Sequence, residues 1–87
     1  MSIRVELTYD MGKALGTHAF ELESASTVAD VVEQTRARFG PAGAEFEKLA
    51  RVARVAVNGV LVSHRKGLKT RLEDGDRVGF VKAAAGG

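Results

Sequence analysis

The chain has 87 residues, 45% of them hydrophobic, which suits one compact domain able to bury a modest core. Thirteen basic residues against eleven acidic ones leave a net charge of +2, too even a balance to imply a nucleic-acid binder. With no cysteine, the chain has no disulfide, no thiolate nucleophile and no cysteine-based zinc or iron–sulfur site.

In chain order, Ile3, Val5, Leu7 and Tyr9 alternate with Arg4, Glu6 and Thr8, a period of two that predicts a half-buried strand. Asp10 to Lys13 and Leu15-Gly16 read as turn residues, and His18 to Leu22 resumes the alternation. Together these predict an N-terminal hairpin with a short glycine-containing connection. Thr27 caps a helix with Asp30 three residues on. Val28, Val31, Val32, Thr35 and Phe39 form its apolar stripe, and Gly40-Pro41 stops it. A second, shorter helix is expected over Gly43 to Ala50, carrying Phe46 and Leu49. Val55 and Val57 form a strand, Asn58-Gly59 a tight turn, and Val60-Leu61-Val62 a short returning strand.

Next comes the densest basic stretch, His64 to Arg71, which has no aromatic for base stacking and reads as a solvated loop or a patch for an acidic partner. After the turn Glu73-Asp74-Gly75-Asp76, Val78 to Val81 form the last strand. Placing it centrally, beside the first strand, would account for its near-continuous apolar character. These elements predict an α+β fold, a mixed sheet of four to five strands on one main helix. The domain spans residues 1–82, and residues 83–87 are a flexible tail ending in Gly86-Gly87. No apolar run spans a membrane and the N-terminus lacks a signal peptide's core, so a soluble, cytoplasmic protein is expected.

A glycine pair behind a final apolar strand suits a carboxylate held out for another protein to enclose, since glycine permits close backbone approach. A frayed chain end is the alternative. From Lys82 to Gly87 an extended chain reaches about 20 Å, enough to enter a deep site.

Few other residues invite a chemical reading. His18 and His64 have no cysteine companions and read as isolated surface histidines, and Asp74-Gly75-Asp76 lacks the ligand series of a calcium loop. Ser63-His64 adjacency is no evidence of a catalytic triad. Phe20, Phe39 and Phe80 are expected in the core, while Tyr9 fits either a core or a functional role. If Val60 and Val62 face the core, Leu61 points outward, and if Phe80 packs inward, Val81 faces solvent. Leu61 and Val81 are therefore candidates for an apolar docking surface.

The element order resembles the β-grasp fold of ubiquitin. Thr27-Val28-Ala29-Asp30, Val55 to Gly59, Leu72 to Phe80 and Gly86-Gly87 together resemble the MoaD/ThiS sulfur carriers, which include the small subunit of molybdopterin synthase. The resemblance implies that an E1-like enzyme uses ATP to adenylate the Gly87 carboxylate. A sulfur donor such as a persulfide then yields a thiocarboxylate, which a downstream synthase consumes. Gly86 allows threading through the partner's channel, and Val81 matches the spacing of an exposed apolar contact. The chain would be a co-substrate with no catalytic residue, cofactor or metal of its own, and with neither nucleic acid nor membrane as partner. Lys82-Ala83-Ala84-Ala85 stands where molybdopterin-type carriers have a proline pair, which leaves thiamin thiazole, cysteine or secondary-metabolite sulfur transfer open. A protein modifier forming isopeptide bonds and a non-covalent interaction module are the alternatives.

Overall fold

A computed structural model describes residues 1–62 and 67–82. The order is β1 (Ile3–Glu6), α1 (Tyr9–Leu15), β2 (Ala19–Leu22), α2 (Val28–Arg38), α3 (Pro41–Val52), β3 (Arg54–Val57), β4 (Val60–Leu61) and β5 (Arg77–Val81). The strands form one mixed sheet in the order β2-β1-β5-β3-β4. β1 runs parallel to β5, and every other neighbouring pair is antiparallel. This is the expected β-grasp arrangement, with the last strand in the middle.

The first connection differs from expectation. β1 and β2 do pair, but a seven-residue helix joins them, and β1 ends at Glu6, short of Tyr9. Thr8 caps α1 by accepting a hydrogen bond from the Met11 amide, and Gly16 closes it in the left-handed conformation at φ 77°. Gly12 lies inside this helix because a Cβ there would collide with the imidazole of His18. Its lack of a side chain serves packing, not a turn.

At α2 the expected cap is fully formed. Thr27 Oγ1 accepts from the Asp30 amide, while the Asp30 carboxylate accepts from the Thr27 and Ser26 amides. The first-turn amides of Val28 and Ala29 donate to the carbonyls of Thr70 and Leu68, so residues 68–70 are fastened across the start of the helix. Gly40 turns the chain at φ 56°, and Pro41 opens α3. That helix runs two residues beyond each expected limit.

Ile3, Val5, Leu22, Val28, Val31, Val78 and Phe80 meet between sheet and helices, and Phe46 of α3 is wholly buried among them. Phe46 stands edge-on to Phe80 with ring centroids 5.5 Å apart, and Phe20 packs similarly on the half-buried Phe39 at 5.3 Å. Each buried apolar side chain of this kind contributes about 1.5–3 kcal/mol.

Candidate functional site: the open sheet face

Strand alternation turns Ile3, Val5, Val78 and Phe80 toward the helices and leaves their neighbours on the opposite face. The registers Ala19↔Glu6, Glu6↔Gly79, Gly79↔Ala56 and Ala56↔Leu61 place these five residues in one row across all five strands. Three of the five are alanine or glycine, so this face is shallow. Leu61 and Val81 are its large apolar side chains, 53% and 45% exposed. Only β3 separates their strands, which sets them roughly 10 Å apart across the sheet and about 7 Å along it. The expected outward direction of both residues therefore holds, and both lie on the same face.

Part of the premise for Leu61 does not hold. Val60 is 68% exposed, because β4 is a two-residue edge strand that no helix covers at that position. Val62 is half-buried, with Gly67 close against its side chain.

Charges surround the row. Arg4 pairs with Glu6 at 3.4 Å, Arg77 lies beside Arg4 in register, and Arg54 stands opposite Val81. Lys82 follows Val81 and is exposed. Arg54, Ala56 and Gly79 thus belong to this face, although sequence reading had not singled them out. Their signal was the alternation Arg77-Val78-Gly79-Phe80-Val81, which interleaves one buried and one open series.

The hairpin tip is tied to β5. Asn58 takes φ 51° and Gly59 φ 83°, the positive values a tight two-residue loop requires. Asn58 Oδ1 accepts from the Arg77 amide at 2.9 Å, and Asn58 Nδ2 donates to Asp76 at 3.0 Å. Asp76 also accepts from the Glu73 amide at 2.8 Å, and Asp74 from the Ser2 amide at 2.7 Å. The Glu73 amide and then the Asn58 side chain hold the Asp76 carboxyl below the usual carboxylate range. These carboxylates serve a turn, as the sequence suggested.

Tyr9 is exposed at the first position of α1, where its ring stacks near that of His18. Among the described residues no group of three or more His, Asp or Glu is arranged to hold a metal ion, and no helix is long and apolar enough to cross a membrane. Gly86 and Gly87, with Ala83 to Ala85, lie outside the described residues, as do Ser63, His64, Arg65 and Lys66.

The ThiS family profile matches residues 11–87. The chain belongs to the ThiS family. No match was found among curated proteins. Among solved structures, this ThiS-family chain is similar to small archaeal modifier protein 1 of Methanosarcina acetivorans. The identity is 28% and the TM-score 0.78, covering 99% of this chain and 96% of that one. It is also similar to a chain of the BexX/CysO complex of Amycolatopsis orientalis, at 27% identity, TM-score 0.71 and coverage of 98% and 99%. A chain from the complex of subunits 1 and 2 of the molybdopterin-converting factor of Helicobacter pylori shares the fold. It matches at 18% identity and TM-score 0.69 over 100% of both chains. The ThiS-family chain is accordingly a small ubiquitin-like protein of the sulfur-carrier type, a class whose members are generally not catalytic.

Proposed function

We propose that this protein is a cytoplasmic sulfur carrier whose reactive group is the Gly87 carboxylate. An E1-like partner binds the chain, and a carboxylate oxygen attacks the α-phosphorus of ATP with loss of pyrophosphate. The acyl adenylate now has AMP as a good leaving group. The terminal sulfur of a persulfide attacks the carbonyl carbon and displaces AMP. A thiol then cleaves the S–S bond, becoming a disulfide and freeing the thiocarboxylate for a downstream synthase. Residues 1–82 are the body that partners recognise, and residues 83–87 are the segment that enters their active sites. Gly86 lets the chain pass a narrow channel, while Leu61 and Val81 dock the open face on the partner.

The observation that carries this reading is the position of β5. It is hydrogen-bonded on both sides, between β1 and β3, and the chain passes from Val81 through Lys82 toward a diglycine. A tail rooted on so well anchored a base starts from a fixed place relative to a docking face. Membership of the ThiS family and the likeness to a chain of the BexX/CysO complex support the same reading.

Intact-mass spectrometry tests it. With an E1-like enzyme, ATP and a persulfide donor, the chain should exchange one oxygen for sulfur. A chain lacking Gly86 and Gly87 should not, and its normal charging would overturn the proposal. Folded Leu61→Glu and Val81→Glu variants should be activated more slowly; a normal rate would remove the docking role. The likeness to an archaeal modifier protein favours a second reading, isopeptide bonding to lysines, in which the same activated carboxylate meets an amine. Branched Gly-Gly adducts on other cellular proteins would establish that reading, and full function after loss of the glycines would leave a non-covalent module.

A further inference from the structure

The two edges of the sheet are finished differently. On β2, Leu7 donates to His18, so strand alternation turns the carbonyls of Ala19 and Glu21 away from β1, toward the sheet's margin. Both are taken: Thr17 Oγ1 donates to the Ala19 carbonyl and Arg38 Nη1 to that of Glu21, each at 2.9 Å. Side chains thus occupy the acceptors that a docking strand would need.

β4 is built the other way. Val57 and Val60 flank the Asn58-Gly59 loop as a bonded pair, and Val62 donates to Val55 at 2.9 Å. Leu61, between them, must point its amide and carbonyl out of the sheet. Beside this margin lies a groove of about 680 Å³ between the end of α3, β3, β4 and residues 67–68. Its floor includes Val32, Val55 and Phe80, and its lips are Val52, Leu61 and Leu68. Those three lip residues are 70%, 53% and 45% exposed, a clustering of apolar surface around a concavity that scattered surface residues do not produce.

Charge narrows the occupant. Arg51 and Arg54 line the groove, and Lys69 adjoins Leu68. Glu47 is the one acidic residue among the described lining, and it pairs with both Arg36 and Arg51 at 3.3 Å. The rim is therefore positive. A second copy would bring the same arginines face to face, and residues 83–87 offer only alanine and glycine to an apolar groove.

We propose that the β4 margin and this groove receive an extended segment of a partner protein, one carrying a large apolar side chain flanked by carboxylates. Backbone bonds to Leu61 extend the sheet, the apolar side chain enters between Val52, Leu61 and Leu68, and the carboxylates meet Arg51 and Arg54. This site shares Leu61 and Arg54 with the edge of the open face but is centred on Val52 and Leu68, and it does not depend on charging of Gly87.

The test uses the full chain, ¹⁵N-labelled, titrated to millimolar with the synthetic peptide acetyl-Asp-Glu-Ile-Val-Leu-Asp-Glu-amide. A peptide with lysine at each acidic position is the comparison. Amide shifts should saturate at Val52, Val60, Leu61 and Leu68, the Leu61 amide should gain exchange protection, and added salt should weaken binding. Val52→Asp should weaken it by at least about tenfold, which is about 1.4 kcal/mol. Leu61→Pro, which removes only an outward amide from the backbone pairing, should abolish sheet extension. Should that variant not fold, Val52→Asp, at an exposed position, still decides. No shifts, equal binding of the lysine peptide, shifts confined to Gly79 and Ala56 or to β2, or unchanged binding by Val52→Asp would each overturn the proposal. So would peptide-independent self-association through β4.

Discussion

The centre of the sheet and its β3–β4 margin use the same residue types for different ends. In β1 and β5, Ile3, Val5 and Val78 are wholly buried, and Phe80 nearly so, against Phe46 and the helices. β3 has no fully buried residue, and both residues of β4 are exposed. Val78 and Val60 are chemically identical, yet one holds the fold together and the other faces solvent. Stability is thus concentrated around the strand that leads to the diglycine, while the outer ribbon is left available for contacts.

Substitutions should separate the two regions sharply. Phe46→Ala empties the centre and should cost about 3–5 kcal/mol, read as a lowered denaturation midpoint. Gly43→Ala should cost about 1–3 kcal/mol, because the new methyl meets the Arg36 carbonyl where α2 and α3 touch. Thr27→Ala removes the α2 cap and should cost about 1 kcal/mol in the same assay. Val60→Thr, in the margin, should stay within about 0.5 kcal/mol of the parent. A loss from Val60→Thr approaching that from Phe46→Ala would erase the contrast.

The bridge between the regions should respond to acid. Asp76 has a folded-state pKa below its unfolded value, so its contribution is complete above the ordinary carboxylate range and disappears as pH falls through the depressed value. The denaturation midpoint of the parent should therefore drop below about pH 4, and Asp76→Asn should flatten that limb. Identical acid limbs would show that the bonds Asp76 accepts from the Glu73 amide and from Asn58 contribute nothing to stability.

Much of this was legible beforehand where a local signal has one physical meaning. Thr27 with Asp30 marked the start of α2, Asn58-Gly59 marked the hairpin, and the alternation around Val81 gave its direction. α1 was missed because Gly12 and Gly16 read as turn residues, although Thr8 and Asp10 offered a cap and a first-turn acid. Gly12 serves the close approach of the His18 ring, a contact between residues that spacing does not bring together. The exposure of Val60 was hidden for a related reason, since an edge strand and a central one share the same alternation. The groove was illegible because Val52, Leu61 and Leu68 converge only through tertiary packing.

The middle place of the sheet is filled by its last strand in sequence. Until Arg77 to Val81 have been synthesised, no strand is available to join β1–β2 to β3–β4. Closure waits for the segment that immediately precedes the diglycine, so a ribosome still holding that segment holds an unfinished protein.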